Sequence, residues 1–214
     1  FQRQTQCATA PVTDKIMLPE ATLRSATDGL MEQAVSAKTP WSRLSSEERY
    51  QRLRNTITRN AADSSNSLVK MLDTLFQYHE FKSPLPGPTG EENILFNGPK
   101  GLVVVLVDEH DDADQLAHLL SIVVFAGNSV ILRASTPSSR TVAETASGCI
   151  DDLLPPETLQ MTDDPAIVDL LSQSKVTAVV ASSSNPSNPQ VRKSLAELAG
   201  PIVPLIEFDS SVTS

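Results

Sequence analysis

The stretch Gly101–Ser135, GLVVVLVDEHDDADQLAHLLSIVVFAGNSVILRAS, decides the fold. It opens with Leu102 to Val107, an uninterrupted aliphatic run that predicts a strand covered on both faces. Asp111 to Ala126 then has apolar residues at helical spacing and acidic residues at its start, and Gly127 ends it. Ser129 to Arg133 predicts a second strand. Because such crossovers between parallel strands are right-handed, this unit predicts a doubly wound parallel sheet.

Downstream of this unit, apolar strand patterns and helical patterns continue to alternate at short spacing. The predicted strands are 157–161, 176–181 and 202–206, and the predicted helices are 139–153, 163–173 and 190–199. Five strands alternating with helices predict an α/β fold. We therefore expect a Rossmann-like parallel sheet with helices on both faces, formed by residues 101–214.

Upstream, three helical patterns predict a segment over residues 20–82 that packs on the sheet. The first pattern follows Pro19 and is predicted to end at Thr39-Pro40, because the residue before proline disfavours the helical conformation. The second runs from Ser45 to about Ala62, with Ser45 and Glu48 forming a capping box. The third is predicted over 67–81, and we expect residues 20–214 to form one domain.

Two further segments are predicted to lack helices. Residues 1–19 show no periodicity and are expected to be a flexible tail or linker. The span Ser83–Asn93, SPLPGPTGEEN, is rich in proline and glycine and is expected to be an extended crossing loop without regular structure. ILFNGPKG then predicts a short strand and a turn, so that 83–100 forms an extended loop and hairpin.

Composition excludes some classes of function. The chain is 40% hydrophobic and 20% charged, as in ordinary globular proteins, and its net charge of −9 argues against nucleic-acid binding. The two cysteines have no metal-site or disulfide spacing, and Cys149 is expected to be a buried hydrophobe on a helix face. No apolar run approaches the ~20 residues of a membrane span. We expect a cytoplasmic protein. Because the sequence starts at Phe1 rather than at methionine, we expect it to be a fragment of a longer protein.

Three segments resemble aldehyde dehydrogenases in order and spacing. Trp41–Arg49 is similar to the family's W-x-x-L-x-x-x-E-R stretch. Pro99-Lys-Gly-Leu-Val-Val-Val is similar to its P-x-G-V-V entry into the first strand of the nucleotide fold. Ala126-Gly-Asn-Ser-Val-Ile-Leu-Arg133 is similar to its A-G-N-x-V-V-x-K-P. This resemblance implies the fold of an aldehyde dehydrogenase nucleotide-binding domain.

Two more segments resemble one branch of that superfamily, the proline utilization A (PutA) proteins. Leu85–Asn93 is similar to their PGPTGE-x-N segment, and Gly200–Ile206 is similar to another PutA stretch. In long PutA proteins these motifs occur in the aldehyde dehydrogenase module and again in a C-terminal domain without its chemistry. The resemblance therefore implies a parent protein that is a proline dehydrogenase and L-glutamate γ-semialdehyde dehydrogenase.

The resemblance also shows which chemical residues are replaced. The loop Val107–Ala113 lacks the oxyanion asparagine, although His110 could in principle act there as a base or ligand; we favour a solvated helix start. The remaining family positions are degenerate. Arg133 replaces a lysine, and the carboxylate that follows this lysine in the family is lost. Ser183 and Ser184 replace a turn that contains glycine in the family, and Glu207 stands at the position of the base but lacks the glycines that follow it there. The chain ends before the nucleophilic cysteine. We expect no catalytic residue, cofactor or metal in this domain.

The function implied is a structural domain that covers the intermediate-channelling tunnel of the parent protein. Its partners would be the catalytic modules, which hold NAD and FAD, and further copies in a homo-oligomer, with no nucleic acid and no membrane bound by this domain. The parent is expected to be cytoplasmic and peripheral at the inner membrane. Two alternatives stay open: a fragment of an active NAD-dependent aldehyde dehydrogenase, and a nucleotide-binding regulatory module.

Overall fold

The computed structural model describes residues 20–60, 65–79, 82–152, 154–163, 171 and 175–209. The predicted tail over 1–19, most of the predicted helix over 163–173, and Cys7 lie outside these ranges. Among the described residues, no helix is both long enough and apolar enough to span a lipid bilayer.

The central sheet has five strands, and every pairing within it is parallel. Its strands are β3 Leu102–Val107, β4 Ser129–Ala134, β5 Leu159–Thr162, β6 Val176–Ser182 and β7 Leu205–Phe208. The order is β5-β4-β3-β6-β7, so the chain runs outward in one direction from β3 and then outward in the other. This order is that of a doubly wound sheet, and the predicted α/β fold is confirmed.

Helices cover both faces of the sheet. They are α1 Glu20–Arg43, α2 Ser46–Asn60, α3 Ser65–His79, α4 Ala113–Phe125, α5 Pro137–Gly148 and α6 Asn188–Ala196. On one face, Val103 and Val105 pack with buried residues of α2, α3, α4 and α5. On the other face, Leu102 and Val104 pack with residues of α1 and α6. Every residue of β3 is buried, as its aliphatic run predicts.

The prediction that α1 ends at Thr39-Pro40 is wrong. The helix continues through Pro40 to Arg43. Proline costs a helical hydrogen bond, but here Trp41, one residue later, is fully buried and donates its Nε1–H to the carbonyl of Val124 at 2.7 Å. This tertiary anchoring outweighs the local preference.

The start of α2 is as predicted. Glu48 N–H donates to Ser45 Oγ at 3.2 Å, and Ser45 N–H donates to Glu48 Oε2 at 2.8 Å, which is a reciprocal capping box. The hydrogen bonds that the Glu48 carboxylate accepts from the Ser45 N–H and the Ser45 hydroxyl are the main causes that lower the pKa of Glu48. Leu53 and Ile57 of α2 are fully buried.

The prediction that 83–93 lacks regular structure is wrong. Strand β1, Ser83–Leu85, pairs antiparallel with β2, Asn93–Leu95. The prolines and glycines lie mainly in the connecting loop, where Gly90 has φ +94°, a conformation that favours glycine. The predicted strand at ILF is present, but its partner is the earlier segment, and residues 96–100 have no regular structure. We call β1, β2 and their loop the hairpin.

Several predicted boundaries also shift for local reasons. Helix α5 begins at Pro137 because Thr136 caps it, and it ends at Gly148. Cys149 is therefore the residue after the helix and is half-buried, so its predicted full burial is wrong. Strand β7 begins at Leu205 because Pro204 has no N–H to give to the ladder.

Candidate functional site

The carboxyl ends of the parallel strands carry the cleft where a doubly wound fold binds ligands. The chain reverses direction between β3 and β6, and in such folds ligands bind in the crevice at this switch point. Here the cleft measures about 250 Å³ and is lined by the ends of β3 and β4 and by the loop after β6. Ligand pockets for drug-sized molecules typically span about 300–1,000 Å³. The volume of the cleft is thus slightly below that range.

Arg133 lines this cleft, as its position near the end of β4 dictates. In the sheet register it lies between Leu106 of β3 and Thr162 of β5, and it is half-buried. Beside it, Ser139 N–H donates to Thr136 Oγ1 at 3.1 Å, and Thr136 N–H donates to Ser139 Oγ at 3.0 Å. This reciprocal cap takes up a helix N–H that a bound phosphate would otherwise use, and Pro137 has none to give.

Ser183 and Ser184 form an exposed turn after β6 and do not line the cleft. The Ser183 N–H donates to the carbonyl of Phe208 at 2.7 Å, which ties the turn to the end of β7. The Ser184 hydroxyl lies 2.8 Å from the Ser182 hydroxyl. The backbone of this turn is therefore engaged with a neighbouring strand of its own sheet.

Glu207 in β7 is engaged by α6 through both of its carboxylate oxygens. Asn188 Nδ2 donates to Oε1 at 2.8 Å, and Arg192 forms an ion pair with Oε2. Both carboxylate oxygens of Glu207 are therefore already engaged by side chains of this domain. Sequence reasoning missed Asn188 and Arg192, whose signal is the amphipathic helix that precedes β7.

The loop between β3 and α4 satisfies much of its own polarity. Asp111 Oδ2 accepts from the Asp108 N–H at 2.8 Å, and Asp108 Oδ1 accepts from the His110 N–H at 3.1 Å. Asp108 Oδ1 also lies 2.8 Å from His110 Nδ1, and this hydrogen bond is the main cause that raises the pKa of His110. The four carboxylates of this loop, Asp108, Glu109, Asp111 and Asp112, would oppose a developing oxyanion.

Asp111 is the buried acid of this loop. Its side chain is 6% exposed, and burial is the main cause that raises its pKa, although the hydrogen bond from Asp108 N–H acts in the opposite direction. His110, by contrast, is largely exposed, in keeping with a solvated helix start. Within the described ranges, no three His, Cys, Asp or Glu side chains come together in a way that could hold a metal ion.

Cys149 is not one of the residues that line the cleft, and it directly follows the last turn of α5. Burial, with a smaller contribution from Asp114, raises the pKa of the Cys149 thiol. A thiol with a raised pKa is not activated as a nucleophile.

Comparison with solved structures identifies the fold. A PutA structure with proline bound in remote sites superposes with a TM-score of 0.66 at 22% identity, covering 91% of this chain and 23% of that one. PutA from Bdellovibrio bacteriovorus, inactivated by N-propargylglycine, gives a TM-score of 0.69 at 14% identity, covering 86% and 22%. A salicylaldehyde dehydrogenase from Pseudomonas putida G7, complexed with salicylaldehyde, gives 0.67 at 13% identity, covering 86% and 43%.

The chain has the fold of an aldehyde dehydrogenase nucleotide-binding domain. It spans less than a quarter of the length of these two PutA chains. No family model matches the chain, and no curated protein sequence matches it.

The segments that resemble aldehyde dehydrogenases in sequence meet at the amino ends of the strands, opposite the cleft. Trp41 donates Nε1–H to Val124 O, and Arg49 donates Nε–H to Phe125 O at 2.8 Å. Both carbonyls belong to the last turn of α4, where a helix lacks internal donors and where positive charge is favourable. The sequence contained a signal for this role, because Arg49, Leu53 and Ile57 recur every four residues and so share the inward face of α2.

The A-G-N segment completes this arrangement. Asn128 Oδ1 accepts from the Gly101 N–H at 2.9 Å, and Asn128 Nδ2 donates to Val123 O at 2.9 Å, so one side chain joins the start of β3 to the end of α4. Gly127 has φ +91°, and a Cβ there would lie 3.3 Å from Cβ of Pro99. This end of the aldehyde dehydrogenase fold is structural, and its residues are those that the resemblance rests on.

Proposed function

We propose that this chain is a non-catalytic structural domain of a PutA-like, bifunctional proline-catabolic protein. In that role it covers the passage by which pyrroline-5-carboxylate or glutamate semialdehyde moves between the two catalytic modules, and it supports contacts between domains or subunits. Such a cover needs a surface and no nucleophile, because its task is to keep a reactive intermediate out of bulk water. The parent protein would be the proline dehydrogenase and L-glutamate γ-semialdehyde dehydrogenase.

The observation that carries this proposal is the engagement of Glu207. At the position that the resemblance assigns to the catalytic base, Asn188 and Arg192 hold both carboxylate oxygens. The acidic loop after β3 points the same way, since its carboxylates oppose an oxyanion. The residues at the amino ends of the strands keep the fold intact, so the molecule combines an aldehyde dehydrogenase shape with a cleft that lacks its chemistry.

A candidate contact surface is the hairpin. Its strands and the residue that follows expose Leu85, Ile94, Leu95 and Phe96, the last with 69% of its surface accessible. A two-stranded hairpin is only marginally stable by itself, and clustered exposed apolar side chains mark interaction sites. These side chains therefore support a contact with a neighbouring module of the parent protein.

In this proposal the domain holds no cofactor and no metal of its own. NAD and FAD are bound by the catalytic modules of the parent, which are the partners of this domain together with further copies in a homo-oligomer. The domain contacts neither nucleic acid nor a membrane. We propose that the parent is a cytoplasmic protein, peripheral at the inner membrane.

A nucleotide-binding regulatory module is the second candidate, and Arg133 in the cleft favours it. We expect calorimetric titration of the 214-residue chain with NAD to give no saturable heat, because the cleft is small and α5 is capped by its own side chains. The matched measurement uses an intact aldehyde dehydrogenase under the same conditions. Saturable binding that Arg133→Ala abolishes would contradict the structural proposal and favour the regulatory one.

A second prediction tests the covering role in the parent protein. Phe96→Asp is expected to increase the amount of free intermediate that can be trapped during proline oxidation. Loss of an aromatic side chain that is buried in the proposed contact costs at least about 1 kcal/mol, which is about fivefold in the docking equilibrium.

The control is Ile122→Asp, which changes an exposed apolar side chain on α4, outside the hairpin. We expect this variant to release as little intermediate as the unaltered protein. In the 214-residue chain, Phe96→Asp should change the free energy of unfolding by no more than about 0.5 kcal/mol. If both variants released the same amount of intermediate, or neither released any, the hairpin would not be part of the covering surface.

A further inference from the structure

Asn97 and Gly98 lie in the segment that joins the hairpin to β3, and they form the one Asn-Gly pair of the sequence. Both residues are exposed. Within the part of the chain that the structure describes, neither the Gly98 N–H nor the Asn97 side chain forms a hydrogen bond. A Cβ built on Gly98 would meet no atom within 4 Å apart from its chain neighbours. The surroundings therefore leave the backbone of this pair room to rotate.

An asparagine in this setting can cyclise without an enzyme. The backbone nitrogen of Gly98 attacks Cγ of Asn97, so that a bond between this nitrogen and Cγ forms. The bond between Cγ and Nδ2 breaks, and ammonia leaves with the proton of the attacking N–H. Water then opens the succinimide ring at either carbonyl and leaves aspartate or isoaspartate. Glycine permits the close approach that the attack requires, because it has no Cβ.

Asn128 shows what protects an asparagine in this protein. It precedes the small residue Ser129, but it is only 7% exposed. Asn128 Oδ1 accepts from the Gly101 N–H and Nδ2 donates to Val123 O, both at 2.9 Å. The nitrogen that would attack, Ser129 N, donates its own hydrogen to Gly101 O at 3.1 Å. Cyclisation at Asn128 must break these hydrogen bonds first, so it requires local unfolding.

We propose that Asn97 is a site of spontaneous deamidation, which converts to aspartate and isoaspartate in the folded chain while Asn128 stays intact. The product has a carboxylate directly after Phe96, which is 69% exposed and belongs to the apolar surface of the hairpin region. This charge must be desolvated when the hairpin docks, so deamidation weakens the contact as the protein ages. The weaker docking rests on the proposed function, whereas the modification itself does not.

Peptide mass spectrometry of the 214-residue chain tests the site. Cleavage after lysine and arginine places Asn97 on the 83–100 peptide and Asn128 on the 101–133 peptide, so the two asparagines are measured separately. After incubation in mildly alkaline buffer, we expect the 83–100 peptide to gain the mass change from amide to acid and to split into aspartate and isoaspartate forms. The 101–133 peptide should show no conversion. Fragment ions assign the change to Asn97 rather than Asn93, and a sample taken before incubation corrects for conversion during digestion.

Two variants and a denatured sample serve as controls. Asn97→Gln should lose the modification, because its side chain would have to close a larger ring that forms more slowly. Gly98→Ala, for which the structure has room, should slow it. In guanidinium chloride Asn128 should begin to convert, whereas the rate at Asn97 should stay within about twofold of the rate in the folded chain, because no structure has to open there.

The proposal would be overturned if Asn97 stayed intact in the folded chain or converted only in denaturant. Equal conversion of Asn97 and Asn128 in the folded chain would overturn it as well, since the structure would then not select the site. Conversion of Asn97 together with no effect of Phe96→Asp on leakage would retain the modification and reject the covering role of the hairpin.

Discussion

Trp41→Ala is expected to lower the free energy of unfolding by about 4 kcal/mol, the largest effect of any single substitution that we predict. The Trp41 ring is fully buried in the core between α2, α3, α4 and the sheet, and its Nε1–H is the donor to Val124 O. Truncation leaves a cavity and removes one donor from Val124 O, which keeps the hydrogen bond from the Gly127 N–H. Urea unfolding followed by far-ultraviolet circular dichroism measures the change, because the chain has one tryptophan and the variant loses the tryptophan fluorescence.

Trp41→Phe separates the two contributions. It keeps most of the buried ring but removes the donor, so the expected loss is about 1–2 kcal/mol. Val35→Ala, at an exposed site on the same helix, serves as the control and should change stability by less than about 0.5 kcal/mol. If Trp41→Phe were as harmful as Trp41→Ala, the hydrogen bond to α4 rather than the packing would dominate.

Arg49→Ala is expected to cost about 3 kcal/mol. The substitution removes the donors to Phe125 O and to Leu44 O and withdraws the positive charge from the last turn of α4. Hydrogen bonds to charged groups contribute more than neutral ones, and the hydrogen bond to Phe125 O is buried. The measurement is again the urea midpoint, with an unchanged slope showing that the denatured state is not altered.

Two companion variants define what Arg49 supplies. Arg49→Lys retains the charge but lacks the planar fork, so it should recover only part of the loss. Arg52→Ala removes an exposed arginine from the same helix and should have little effect. A full rescue by lysine would show that charge at the end of α4 matters more than the paired hydrogen bonds.

Local sequence signals predict the sheet well and the hairpin badly. The buried runs of β3 and β4 are continuous and aliphatic, so their period and length leave one interpretation. In the hairpin, prolines and glycines dominate the composition, yet they sit mainly in the loop and leave three residues on each side free to pair. A pairing between Ser83 and Leu95 depends on residues twelve apart, which no local preference reports.

The candidate site divides in the same way. The absence of an asparagine in 107–113 and the replacement of lysine by Arg133 are read directly from the residues. That Glu207 is held by Asn188 and Arg192 follows only from the packing of α6 on β7, because these residues are nineteen and fifteen positions away.

For this protein, the sequence by itself determined the parallel α/β fold and the identity of the chemical groups that are missing, because hydrophobic periodicity and residue type are local properties. The tertiary structure decided that α1 continues through Pro40, that 83–95 forms a hairpin, and that the Arg49 guanidinium meets the His79 ring. These features depend on contacts between residues distant in the chain, whose combined burial and hydrogen bonding outweigh the local backbone preferences.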